Sequence, residues 1–207
     1  MTEKIDRRQI RTKQLLYQAL MSLIEEKGFE NVTVTDIANR AEVNRGTFYL
    51  HYRDVPDMLH QLKEEVFGFI QNAVRTLNPL EVREYAYKDE PYPKFIAIFE
   101  EVGRHAEFLK VMFGPKGDIS FAIKVRESIA SQIYNKWTPF QQQDIDTKLL
   151  IPRDYLIAYM SSANIGILMH WLASGLNYTP YQMAMMMTRI VNHGPIVASG
   201  LIDGLTP

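Results

Sequence analysis

The chain of 207 residues contains no cysteine, which removes disulfides, thiolate metal sites and cysteine nucleophiles from consideration. A reducing, cytoplasmic setting is the simplest expectation for such a composition. No apolar run follows Met1, only a charged segment, so no signal peptide is expected. The most apolar stretch, 155–173, is interrupted by Ser161, Ser162, Asn164, Gly166 and His170; it reads as a buried core or interface helix and not as a membrane span. The five histidines, His51, His60, His105, His170 and His193, include no i, i+4 pair and no ligand-like cluster. There is no glycine-rich phosphate loop and no Gly-x-Ser-x-Gly elbow. Glu64-Glu65 and Glu100-Glu101 are neighbours on helices and therefore diverge. No metal, no cofactor and no catalytic residue is expected, and an enzyme is disfavoured. Charge of one sign is also missing: the formal net charge is −1. Any attraction to a polyanion must be local.

What is present is helical. The chain is 46% hydrophobic and 23% charged, enough apolar content for a packed core. Segment 6–27 places Ile10, Leu15, Leu16, Ala19, Leu20, Leu23 and Ile24 on one helical face and stops at Gly28. Thr33, three residues before Asp36, predicts a capping box opening a short helix through Ile37, Ala38 and Ala41. Asn44 caps the next helix, and Asp54-Val55-Pro56-Asp57 starts a long one with an apolar face from Met58 to Leu77. Segment 78–93, with Pro79, Pro91 and Pro93 among charges, reads as a loop and as the best boundary between functional halves. Beyond it, helices are expected over 93–105, 107–113, 119–137 and 152–174, with a turn at 114–117, a polar loop at 138–151, and a last helix from Thr179-Pro180 that Gly194-Pro195 breaks or kinks. No period-two pattern appears, so the fold expectation is all-α, with about nine helices.

Segment 33–52 has the pattern of a helix-turn-helix: a short helix, a turn at Glu42-Val43, and a second short helix over about 45–51. In that geometry the second helix enters the major groove and the flanks hold phosphates. Arg45 can bond guanine or a phosphate; Asn44 and Thr47 can read base edges or cap the helix; Gly46 allows close backbone approach. Tyr49 and His51 can bond phosphates or touch bases, Tyr52 and Arg53 can clamp the backbone, and Thr33 and Thr35 offer hydroxyls at the first helix's start. Phe48 and Leu50 are assigned to the small core. Lys4, Arg7, Arg8, Arg11 and Lys13 form a basic arm: residues 1–13 hold five basic against two acidic side chains.

Residues 8–60 resemble the DNA-binding domain of the TetR family of bacterial regulators. The features that carry the resemblance are the basic start, Gly28-Phe29, Val32-Thr33-Val34-Thr35-Asp36-Ile37-Ala38, Ala41, Val43, Gly46-Thr47-Phe48-Tyr49, His51-Tyr52, Asp57 and Leu59. The resemblance implies a three-helix DNA-binding domain over 6–62 joined through a long fourth helix to a C-terminal helical bundle, 63–207, for ligand sensing and dimerisation. It implies that Thr35, Arg45, Gly46, Thr47, Tyr49 and His51 face DNA. The chain departs from many members at Val55, where they place a phosphate-gripping Lys. Residues 93–192 resemble a subgroup through Phe113-Gly114-Pro115-Lys116-Gly117-Asp118, Phe121, Trp171-Leu172, Gly175 and Thr179-Pro180, a match that carries no ligand class with it.

In the C-terminal half, Ala158, Ser161, Ser162, Ala163 and Gly166 are small residues that permit close helix approach, and Met160, Met169, Met183, Met185, Met186, Met187 and Trp171 supply adaptable apolar area. A homodimer is favoured over a monomeric core, because two recognition helices on a two-fold axis read a palindrome better than one. Phe99, Phe108, Met112, Tyr134, Tyr155, Tyr159 and His170 are the candidate lining of a ligand cavity, together with Phe95, Phe113 and Trp137. The expected partners are double-stranded DNA, a second copy, and a small apolar or amphipathic effector, with no membrane. The expected function is a ligand-responsive repressor on a palindromic operator. The alternative is a co-regulator or activator whose C-terminal half binds a protein.

Overall fold

The computed structural model describes residues 7–137 and 149–200. Lys4 of the basic arm and most of the loop expected at 138–151 lie outside the described residues. The fold is all-α: ten α-helices and one 3-10 turn make up the described residues, with no strand among them.

The chain divides into two compact units, Met1–Phe67 with Glu107–Ala122, and Gly68–Ala106 with Ile123–Pro207. The first unit holds α1 (Arg7–Lys27), a 3-10 turn (Phe29–Asn31), α2 (Val34–Arg40), α3 (Arg45–Tyr49), the first half of α4 (Val55–Thr76), α7 (Ala106–Phe113) almost entirely, and the first turn of α8 (Ile119–Trp137). Its core is Leu16, Leu20, Ile24, Ile37, Phe48, Met58, Phe108, Leu109 and Met112, each at most 1% exposed. Gly28 ends α1 with φ 83° and ψ 150°, leading into the 3-10 turn rather than a left-handed helical cap. The turn at 114–118 docks on α1: Phe29 donates its backbone N–H to the Lys116 carbonyl (3.3 Å), and Lys116 Nζ donates to the carbonyls of Glu25 (3.0 Å) and Glu26 (2.7 Å). That ammonium meets the negative end of the α1 dipole. Lys63 of α4 pairs with Asp118 at 2.5 Å. A Cβ on Gly117 would stand 2.3 Å from the carbonyl oxygens of Val111 and Met112, so only glycine fits this turn.

The second unit holds the rest of α4 and α8, with α5 (Pro79–Tyr87), α6 (Pro93–Arg104), α9 (Arg153–Ala173) and α10 (Pro180–Ala198). Helix α5 corrects the loop expected over 78–93. Asn78 accepts a hydrogen bond from Leu80 N, Pro79 occupies the first turn, where its missing N–H costs nothing, and Val82 and Ala86 bury one face. Here proline marks a helix start, whereas the sequence expectation took it for a break. Helix α10 packs on α5 and α6. Its buried Thr188 accepts from Tyr92 N (2.9 Å) and donates to the Ala184 carbonyl (2.8 Å), and Arg189 pairs with Asp89 at 2.9 Å. Thr179 and Gln182 form the capping box that opens α10, and Gly194, at φ 74°, kinks it before Pro195. Helix α9 is long and apolar enough to cross a membrane by length and composition, yet less than a third of its most apolar stretch is buried within this single chain.

Candidate nucleic-acid interface and apolar cavity

Helix α2 is fixed before α3 is placed. Thr33 Oγ1 accepts from Asp36 N (3.2 Å), Asp36 Oδ2 accepts from Thr33 N (2.9 Å), and Lys27 Nζ reaches the same carboxylate at 2.6 Å. The Lys27 hydrogen bond, with those from Thr33, holds the Asp36 carboxyl at about 2. At the other end, the Arg40 guanidinium forks onto both Glu26 oxygens at 2.8 Å, tying α2 to α1. The turn that follows places Glu42 at φ 53°, a left-handed conformation held by a non-glycine residue.

Asn44 Oδ1 then accepts from Gly46 N at 2.8 Å, so this side chain serves as the α3 cap. Phe48 is the anchor of α3 at 0% exposure, with Tyr49 edge-on to it (centroids 5.7 Å) and Tyr52 tilted against it (5.7 Å). Thr33, Thr35, Asn44, Arg45, Gly46, Tyr49 and Arg53 are exposed, and Thr47 and His51 half-buried. Among the described residues Arg45 has no ion-pair or hydrogen-bond partner. Tyr52 stands apart: at 6% exposure it offers solvent no more than an edge. Arg53 folds back on Asp57 (3.0 Å), and its guanidinium remains 85% exposed. Asp54 Oδ1 caps α4 by accepting from Asp57 N (2.7 Å), and Val55, the departure from the resembling family, is buried as the first residue of α4.

Leu50 corrects the expectation that it faces the core. It is 80% exposed. Two residues on a helix differ by about 200°, so once Phe48 points inward Leu50 must point outward. The error lay in treating two apolar neighbours as one face.

The same unit opens on a basic stretch. Arg7, Arg8, Arg11 and Lys13 are exposed in the first turns of α1, where the helix dipole favours acids. Burial, with the charge of nearby Lys13, holds the His51 imidazole below its ordinary value, so it is neutral at pH 7.

The second unit holds a partly open apolar cavity of about 190 Å³. Helix α4 contributes Phe69, Ile70, Ala73 and Val74, with Leu77 just beyond it; α6 contributes Phe95 and Phe99; α8 contributes Val125, Ile129 and Ile133. Gln132 and Lys136 of α8 and Asn164 of α9 are the polar residues in its wall. Of the residues anticipated from sequence, Phe95 and Phe99 lie in this wall. Phe108, Met112 and Phe113 are in α7, buried in the first unit. Tyr134, Tyr155, Tyr159 and His170 are exposed, and Tyr134 lines a separate, more open depression with Arg126, Arg153 and Ser161. The wall is mainly aliphatic, whereas the sequence expectation rests on large aromatics; the i, i+4, i+8 series Val125, Ile129, Ile133 is the signal in the sequence that marks it. Among the described residues no cluster of three or more metal-ligating side chains occurs.

Two family descriptions match this chain. Residues 16–62 match bacterial regulatory proteins of the tetR family, and residues 89–193 match a transcriptional regulator C-terminal region, TetR_C_8. An uncharacterized HTH-type transcriptional regulator of Bacillus subtilis, YxbF, is 25% identical over 181 residues, which is 84% of this chain. The chain spans 43% of the length of that relative. Among solved structures, a TetR transcriptional regulator from Streptococcus agalactiae has a TM-score of 0.55 at 24% identity, covering 90% of this chain and 96% of its own. The fatty acid degradation regulator FadR from Bacillus halodurans has a TM-score of 0.56 at 16% identity, covering 88% and 95%. At these identities the likeness is one of fold.

Proposed function

The chain belongs to the TetR family of bacterial transcriptional regulators, and from that premise we propose that it is an effector-responsive repressor that binds a palindromic operator as a homodimer. The observation that carries this reading is the α3 surface. Arg45, Thr47 and Tyr49 stand on α3, pinned from behind by fully buried Phe48; His51 stands in the turn just after it, and the arginines at the start of α1 are exposed. Arg45 supplies base or phosphate recognition, Tyr49, one turn on, adds a contact from the same face, Thr47 adds one from the adjoining side of the helix, Gly46 permits close approach, and Thr33 and Thr35 present hydroxyls at the start of α2. Asn44 contributes chiefly by capping. Arg53 takes the phosphate role that Val55 cannot fill.

The effector site in this reading is the cavity. The first half of α4 is held in the DNA-binding unit by Met58, Leu59 and Val66, and its second half forms cavity wall. A molecule that fits one α4 position better than another shifts the population toward it. The readout is the separation of two recognition helices, which must match one DNA turn, roughly 34 Å. Dimerisation is assigned to α9 and α10, whose exposed Tyr155, Tyr159, Tyr181 and Val191 leave apolar area uncovered in the single chain.

A gel shift on the promoter region beside the gene tests the DNA reading. Arg45→Ala and Tyr49→Ala should each weaken binding about ten- to hundredfold and leave thermal unfolding unchanged. Wild-type affinity in both variants removes α3 as the recognition helix. Filling the cavity with Ile129→Trp should leave operator binding in place and abolish any ligand response.

A further inference from the structure

Lys136 is the one charged residue among the described residues that line the cavity. Its ammonium does not face a carboxylate at ion-pair distance among the described residues; it donates to the main-chain carbonyls of Val74 (3.3 Å), Arg75 (3.0 Å) and Leu77. These are the last carbonyls of α4 and the residue just beyond it, the negative end of that helix dipole. Val74 and Leu77 also line the cavity, so the ammonium stands where apolar space and the α4 terminus meet. Gln132, one turn earlier on α8, places an amide on the same face. Lys94 donates to the Thr76 carbonyl of the same α4 terminus (2.9 Å), but it is paired with Glu81 (2.8 Å) and does not line the cavity.

We propose that the cavity takes a small monocarboxylate with an apolar body, its carboxylate on Lys136 and its hydrocarbon against the aliphatic wall of α4, α6 and α8. This rests on the effector reading above and narrows it to a chemical class. Apart from Gln132, Lys136 and Asn164 the wall is apolar or aromatic, so the body of the ligand must be hydrocarbon. One ammonium and one neighbouring amide compensate one negative charge; a dianion would carry uncompensated charge into a largely apolar site. Size follows from volume: a 150 Å³ apolar cavity accommodates benzene, with six heavy atoms, so about 190 Å³ accommodates about eight, the head group and most of a short chain whose end reaches the cavity's open side. The head group also has a mechanical effect. An ammonium has three donors, and in this structure it spends them on three α4-terminal carbonyls. A carboxylate claims one or two of those donors and loosens the α4 terminus. A neutral ligand fills the space and leaves the cap intact.

The test is calorimetric titration of the full chain with octanoate, its neutral isostere octanamide, and octan-1-ol, on wild type, Lys136→Met and Lys136→Arg. Octanoate should bind wild type about tenfold or more tighter than octanamide, since a charge-assisted hydrogen bond is worth more than a neutral one. Lys136→Met should erase that preference without weakening octanamide, and Lys136→Arg should keep most of it. Should Lys136→Met fail to fold for want of the α4 cap, the acid–amide comparison in wild type and Lys136→Arg still decides. Equal binding of acid and amide to wild type, or a preference that survives Lys136→Met, overturns the carboxylate assignment and leaves the cavity as effector site. If none of the three probes binds wild type, the proposal falls and the cavity loses its support as effector site as well.

Discussion

Glu42 occupies a backbone position that suits glycine, at φ 53° in the turn between α2 and α3. A left-handed conformation costs an L-residue about 1–2 kcal/mol. Its side chain is exposed, so the position carries strain without visible packing in return. Glu42→Gly should therefore raise unfolding stability by about 1 kcal/mol, read by urea denaturation, with the turn geometry preserved. His51 allows a second prediction at this scale. Its folded value lies below the unfolded 6.5 because burial, and then Lys13, disfavour the charged form. The neutral form is favoured by folding, so its stability contribution is complete above 6.5 and is lost as pH falls through the lower folded value. DNA binding has the opposite sign: phosphates favour the imidazolium, so operator affinity should rise as pH drops below about 6.5. His51→Gln should flatten that slope in gel shifts run from pH 7.5 to 5.5, and an unchanged slope would place His51 away from phosphate.

Among elements, the helix starts were the most legible. Thr33 with Asp36, Asn44 and Asp54 each announce a cap, and each is found capping, because a cap is decided within three or four residues of chain; Thr179-Pro180 announces a helix start, and Thr179 proves to cap it. Thr33→Ala should cost about 1 kcal/mol and loosen α2, measured as faster amide exchange over Val34–Arg40. Acid acts on the same box: Asp36 sits at about 2 against 3.8 unfolded, so its contribution is present above 3.8 and fades as pH falls toward 2. Legibility fails where the decision is tertiary. Helix α5 was hidden because Pro79 reads equally as a break and as a first-turn residue, and only the burial of Val82 and Ala86 distinguishes them. Helix α7 looked like cavity wall because Phe108 and Met112 are large and apolar; the sequence does not say which core claims them. The helix-turn-helix itself was legible because its motif is local. The cavity wall was not, because α4, α6, α8 and α9 bring it together from distant segments.

At the scale of the whole molecule, the proposed dimer makes one position on α9 informative. Gly166 lies on the exposed side of α9, and a Cβ built there meets nothing within 4 Å. In the single chain Gly166→Glu therefore costs nothing in packing, and it improves helix propensity. On a dimer interface it buries a charge against its own symmetry-related neighbour. Sedimentation should show Gly166→Glu shifted toward monomer with unaltered helix content, and operator affinity should fall with it. A dimer of undiminished stability would move the interface off this face of α9.

The first unit is assembled from two separated stretches, Met1–Phe67 and Glu107–Ala122. Phe108, Leu109 and Met112 fill its core, and the 114–118 turn seals α1. The consequence is one for engineering. A chimera that grafts this first unit onto another C-terminal half cannot be spliced at a single point after α4. It must transplant both stretches, and a recombination breakpoint between them would separate residues that one core requires.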